Sequence, residues 1–199
     1  MSAATRLRRL KENAEIIVFE QGPHVSYANC GLPYHVGEVI PEQSDLLLQT
    51  PQSLKARFNL DVRVNSRVTK LNPETKTVEV LNLQTGEQYS ESYDSLILST
   101  GAKPRMLDIP GIERAHVLRD VPDAIRIKEL VDQKKISSAA IIGAGFIGIE
   151  LAENLQHRGI ATTVLALRDT ILTQFDPEMI EPMQALSLIH ISEPTRLLS

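Results

Sequence analysis

Two groups of residues in this sequence have types and spacings suited to chemistry. The first surrounds Cys30, the chain's one cysteine, in the run Ser26-Tyr27-Ala28-Asn29-Cys30-Gly31-Leu32-Pro33-Tyr34. The thiolate is the reactive form of cysteine. With no second cysteine, Cys30 cannot close an internal disulfide. Its oxidised states would be a mixed disulfide with a small thiol, a persulfide or a sulfenic acid. The second group is Gly143-Ala144-Gly145-Phe146-Ile147-Gly148, which fits GxGxxG. In that motif Gly143 permits the tight turn, Gly145 lets a pyrophosphate approach the backbone, and Gly148 lets helix and strand pack closely. The helix that follows would offer free N–H groups and a partial positive charge to phosphates.

The elements that must position these residues can be read from the pattern. Ser138–Ile142 (SAAII) reads as a strand, Phe146–His157 as a helix and Ala161–Leu167 (ATTVLAL) as the next strand, which together form one βαβ unit. The ribose-reading position of such a unit lies roughly 20 residues beyond the first glycine. Counting along the strand places it at Ala166, with Arg168 two residues later. An acid at this position would bond the 2′-hydroxyl of NAD. Alanine followed by arginine favours the 2′-phosphate of NADP, and NAD stays open through Asp169.

Glu15–Glu20 (EIIVFE) is a β-branched run ending in an acid and reads as a buried strand, with a basic helix over residues 2–12 before it. Thr50-Pro51 supplies an N-cap and a first-turn proline for a helix to about Phe58. Short strands fill 61–99, ending in the buried-strand candidate Ser95–Ser99 (SLILS), which Thr100-Gly101 terminates. A helix is expected from about Pro122 to Lys135.

Composition narrows the class. The chain has 199 residues, 42% hydrophobic and 23% charged, within the range of a soluble globular protein. A net charge of −4 does not favour a nucleic-acid or membrane-surface partner. The apolar runs are too short for a membrane span, and no signal peptide is visible. One cysteine excludes a cysteine-based zinc site, so no metal is expected, and a reducing cytoplasm is the natural setting.

The stretches RLRRLKENAEIIVFE, SYANCGLPYHVGEVI, SYDSLILSTGAKPR and IIGAGFIGIELAENL, in this order, resemble the pyridine nucleotide-disulfide oxidoreductases. The resemblance is to their single-cysteine branch, which includes coenzyme A-disulfide reductase, NADH oxidase and persulfide reductase. It implies an α/β fold with two Rossmann-like dinucleotide-binding domains, one for FAD and one for NAD(P), and a homodimer in the full-length enzyme. By the same resemblance Cys30 matches the redox cysteine and Glu20 the acid that holds the FAD ribose. Thr100-Gly101 match a turn that contacts the flavin nucleotide. Ser26, Asn29 and Arg9 match residues of the thiol-substrate site, and Arg6, one helical turn before Arg9, can face the same way. Guanidinium groups suit the phosphates of coenzyme A.

The resemblance divides the chain into residues 1–110, an FAD domain without its first strand and glycine turn, and 111–185, the start of an NAD(P) domain. Residues 186–199 fit no family pattern. Leu186–Arg196 (LSLIHISEPTR) matches the translation of a transposase adapter used in sequencing libraries, so 186–199 is read as non-native, and His190 and Glu193 receive no functional reading. The expected activity is NADPH-dependent reduction of coenzyme A disulfide or a similar small disulfide, with the isolated chain itself inactive. The alternatives are persulfide or polysulfide reduction, NADH oxidation and, in another class, a non-catalytic nucleotide-binding redox sensor.

Overall fold

Local chemistry sets most element boundaries in this computed structural model, which describes residues 1–168 and 170–191, with side chains to 185. In chain order the elements are α1 (Ser2–Leu10), β1 (Ile17–Phe19), β2 (Ser26–Tyr27), α2 (Leu32–Val36), β3 (Leu47–Gln49), α3 (Pro51–Phe58), β4 (Asp61–Arg63), β5 (Ser66–Asn72), β6 (Thr77–Asn82), β7 (Gln88–Ser92), α4 (Val121–Asp132), β8 (Ser138–Ile142), α5 (Phe146–His157), β9 (Ala161–Leu165) and α6 (Pro177–Ile191). Short 3₁₀ turns lie at Asn29–Gly31, Gln43–Leu46 and Ile112–Arg114. Helix α6 runs into the 186–199 segment, most of which lies outside the described residues.

Contacts divide the chain into two compact units that do not follow chain order: Met1–Tyr27 with Leu47–Lys103, and Ala28–Leu46 with Pro104–Ser199. The cysteine segment therefore packs with the later part of the chain, although it lies early in sequence.

In the first unit β1 and β4 pair in parallel, β2 and β3 antiparallel, and β5-β6-β7 form an antiparallel meander. Helix α3 begins where expected, because Thr50 and Ser53 form a reciprocal capping box and Pro51 supplies the preset first turn. Its C-terminal carbonyls would otherwise lack partners. Arg8 of α1 donates to Phe58 O (2.8 Å) and Asn59 O (2.9 Å). Ile16, Leu54 and Leu60 form the core there, with Leu7 and Val62 against them.

The expected buried strand at Ser95–Ser99 does not form. That segment has no strand pairing, and Leu96, Ile97 and Leu98 are 38%, 62% and 67% exposed. An apolar run becomes a strand only beside a partner that takes up its N–H and C=O groups. Among the described residues β1 pairs with β4 alone, and no strand pairs with 95–99.

In the second unit β8 and β9 pair in parallel across α5, from Ser138↔Ala161 to Ile142↔Leu165. This is the expected βαβ unit, with the second strand two residues shorter than ATTVLAL. Helix α4 starts at a second capping box, Asp120 with Asp123. Helix α2 packs against both α4 and α5.

Candidate active site

The glycine turn does three different things at its three glycines. Gly143 sits at φ +114, a conformation that favours glycine, and its N–H donates to Leu165 O (2.9 Å), tying the turn to β9. A Cβ on Gly148 would lie 2.0 Å from Gly143 O, so α5 can start this close to the turn only without a side chain there. Gly145 caps α5 in an extended conformation, and a Cβ on it would meet nothing within 4 Å. That empty approach fronts the free N–H groups of α5, the arrangement that receives a phosphate.

The turn opens on a cleft of about 180 Å³ that Gly143, Gly145, Ala166, Arg168, Thr170 and Thr173 line. Ala166 and Arg168 thus share a cleft with the glycines, as the spacing from the motif suggests. Asp169, the residue through which NAD stayed open, lies outside the described residues. Sequence reasoning missed Thr170, Thr173 and Gln174. They reach the cleft because Leu172 N–H donates to Ala144 O (2.9 Å), and no local pattern signals that fold-back.

Cys30 is exposed in the 3₁₀ turn that leads into α2, and Asn29 beside it is exposed too. The turn is built tightly underneath. Gly31 is buried, and a Cβ there would lie 3.0 Å from Leu46 Cδ2 and 3.2 Å from Ile40 Cδ1. Ala28 N–H donates to Leu46 O (2.8 Å) and Gly31 N–H to Ala28 O (2.9 Å). Farther along α2, buried His35 donates its Nδ1–H to Ile40 O (2.7 Å). The segment is therefore a rigid pedestal with the thiol on its outer side.

The end of α2 enters a charged network with α4 and α5. Lys128 bonds Glu38 (3.2 Å) and Asp132 (2.7 Å), and Arg158 bonds Asp132 (2.7 Å). Partial burial opposes ionisation of Asp132, but hydrogen bonds from Lys128 and Arg158 outweigh it and hold its carboxyl below the ordinary aspartate range. Burial likewise opposes the charge of Lys128, and bonds to Asp132 and Glu38 hold its pKa above the ordinary lysine value.

The remaining candidates lie in the first unit. Glu20 follows β1, and one of its carboxylate oxygens accepts from Gly22 N–H (2.7 Å). It stands at the carboxyl end of a parallel strand, where open α/β sheets bind ligands. Ser26 pairs with Gln49 between β2 and β3. Arg6 and Arg9 are exposed, whereas Arg8 between them is engaged at the end of α3. Gly101 follows Thr100 at φ +68, exposed, with open space around it. The structure thus groups Cys30 and Asn29 with Gly143, Gly145, Gly148 and Arg168 in one unit. Glu20, Ser26, Arg6, Arg9, Thr100 and Gly101 belong to the other.

A glycine turn open to a phosphate, on a parallel βαβ element that shares its compact unit with an exposed thiol, is the arrangement of a nucleotide-linked redox protein. Known proteins agree. The chain is 36% identical over 182 residues to the coenzyme A disulfide reductase of Staphylococcus aureus strain JH9, covering 92% of this chain and 41% of that protein. The solved structure of reduced Bacillus anthracis CoADR-RHD is 49% identical with a TM-score of 0.93, over 96% of this chain and 35% of that one. A NAD-dependent persulfide reductase from A. fulgidus is 32% identical with a TM-score of 0.89, over 96% of this chain and 36% of that one. The chain thus spans well under half the length of these relatives. The family model for pyridine nucleotide-disulphide oxidoreductase matches residues 1–187, nearly the whole sequence, and the chain belongs to that family.

Proposed function

We propose that this chain carries the redox-cysteine and dinucleotide-binding parts of an FAD-dependent enzyme that uses NADPH to reduce coenzyme A disulfide or a similar small disulfide. The observation that carries the reading is Cys30 itself: an exposed, solitary thiol held on a packed turn, in the same unit as the open glycine turn. The similarity to coenzyme A disulfide reductase supports a small disulfide as the substrate. In this reading residues 1–110 serve FAD and 111–185 begin the NAD(P) part, within a homodimeric cytoplasmic enzyme. Among the described residues no helix is long and apolar enough to cross a membrane.

The residues present fit NADPH and, for FAD, the ribose and the flavin nucleotide. Gly143, Gly145 and Gly148 would seat the pyrophosphate of NADPH, and Arg168 its 2′-phosphate. Glu20 would hold the FAD ribose through its second carboxylate oxygen, with Thr100-Gly101 at the flavin nucleotide. Arg6 and Arg9 would meet the phosphates of coenzyme A, and Ser26 and Asn29 would line the thiol site. When bound, FAD and NADPH supply the electron pair that turnover consumes. The Cys30 thiolate attacks one sulfur of the disulfide, forms a mixed disulfide and releases one thiolate. Breaking that mixed disulfide with the electron pair releases the second thiolate and restores Cys30. Overall, one disulfide, one NADPH and one proton give two thiols and NADP⁺.

The test is Cys30→Ser in the complete enzyme. Flavin content should stay at the wild-type level, while NADPH oxidation driven by coenzyme A disulfide falls to background and the mixed-disulfide mass adduct disappears. Turnover unchanged in the variant would remove Cys30 from the mechanism, and wild-type enzyme without turnover would leave a redox sensor. The similarity to a persulfide reductase supports a second reading, persulfide reduction by the same thiol, which a persulfide substrate in the same assay distinguishes.

A further inference from the structure

Helix α5 starts at the glycine turn and runs for 12 residues, about 18 Å at the usual rise. Its far half grips the segment that carries Cys30. Helix α2 has only 5 residues, so its last carbonyls lack intrahelical partners. Arg158, just past α5, donates from Nη1 to Val36 O (3.1 Å). One residue on, the bare Cα of Gly37 faces Asn154, and a Cβ there would lie 1.9 Å from Asn154 Oδ1. Asn154 is buried, and its Nδ2–H donates to Glu150 O (2.8 Å), which fixes the amide. The next residue, Glu38, stands at φ +63, a conformation that side-chain-bearing residues avoid. Its carboxylate accepts from Lys128 (3.2 Å) and faces Arg158 Nε at 3.6 Å. The Lys128 and Arg158 side chains are only 14% and 17% exposed. These are directed contacts at the ends of three helices, and they bear on consecutive residues of the cysteine segment.

We propose that Asn154 and Arg158 are positioning residues for Cys30: they fix the cysteine segment to the helix whose other end presents the dinucleotide turn. Cys30 immediately precedes α2 through one 3₁₀ turn, so a tilt of α2 redirects the thiol. A misplacement of about 1 Å at a reacting group can cost on the order of a hundredfold in rate. A planar guanidinium that holds a carbonyl and a carboxylate at once supplies the fixed geometry that a flexible ammonium does not. The proposal rests on the reading of Cys30 as the redox thiol.

The experiment compares wild-type complete enzyme with Arg158→Met, Arg158→Lys and Glu38→Gln, well below their melting temperatures. It reads kcat and KM for NADPH, flavin content, and the rate at which iodoacetamide alkylates Cys30 in the reduced enzyme. For Arg158→Met, kcat should fall about tenfold and the alkylation rate should shift at least about threefold. KM for NADPH and flavin content should hold within about twofold, since Arg158 lies far from the glycine turn. Arg158→Lys should recover part of the loss, and Glu38→Gln should shift alkylation in the same direction by less. Wild-type alkylation and kcat in Arg158→Met, with only a lower melting temperature, would overturn the proposal, as would an equal loss of nucleotide binding. Should Arg158→Met fail to fold, unchanged alkylation in both Arg158→Lys and Glu38→Gln would overturn it. Alkylation is read by mass without any disulfide substrate, so it decides the question even where the substrate assignment fails, and Cys30→Ser tests that assignment separately.

Discussion

Gly145 and Gly148 stand three residues apart in one motif, yet the structure gives them opposite roles that alanine substitution separates. A Cβ on Gly148 would lie 2.0 Å from Gly143 O, against about 3.3 Å for the closest ordinary carbon–oxygen contact, so roughly 1.3 Å must be recovered by moving α5 off the turn. Overpacking costs about 1–3 kcal/mol, and an obstacle made of backbone places this case near the upper end. Gly148→Ala in the complete enzyme should therefore lower the melting temperature by roughly 2–4 °C. Gly145→Ala should leave it unchanged, to within about 0.5 kcal/mol of stability, because its Cβ meets nothing and its φ of −85° suits any residue. The new methyl would stand where the pyrophosphate approaches. Losing a close charge-assisted contact of about 1.5–3 kcal/mol weakens NADPH binding tenfold to a hundredfold. Thermal melts and fluorescence titration with NADPH read both quantities. NADPH binding at wild-type strength in Gly145→Ala would refute the assignment of the open face, and an unchanged melting temperature in Gly148→Ala would refute the packing argument.

Three further outcomes are expected. Arg168→Ala should weaken NADPH use tenfold to a hundredfold more than NADH use, from the loss of about 1.5–3 kcal/mol of charge-assisted contact; steady-state kinetics with both nucleotides checks this, and equal losses would make Arg168 a bystander. Arg8→Met should destabilise the protein by about 1–2 kcal/mol in urea unfolding, because Phe58 O and Asn59 O at the end of α3 lose their donor. Asp132 has its folded pKa below the ordinary 3.8, so its contribution is full above that value and is lost as pH falls through the lower folded value. Asp132→Asn should accordingly flatten the acid limb of the stability curve below about pH 4 relative to wild type, and an identical limb would show that Asp132 carries none of it.

The elements read correctly from sequence are those whose boundaries depend on neighbours in the chain. Thr50-Pro51 and Ser53 start α3 through bonds confined to four residues, and the alternation of SAAII, glycine turn and amphipathic helix lays out β8-α5-β9 in the same way. The motif's spacing also brought Ala166 and Arg168 to the cleft of the glycine turn, because a strand and a helix of fixed rise leave little freedom between them. Tertiary structure decided the rest. SLILS has the composition of a strand, but a strand exists only where a second one lies beside it. Thr170 and Thr173 reach the cleft through a fold-back that no periodicity encodes. The cysteine segment joins the later part of the chain because Gly37 has no side chain and Asn154 and Arg158 can close on it. A glycine in a loop and two polar residues at a helix end look ordinary in sequence; their meaning comes from meeting across more than a hundred positions of chain.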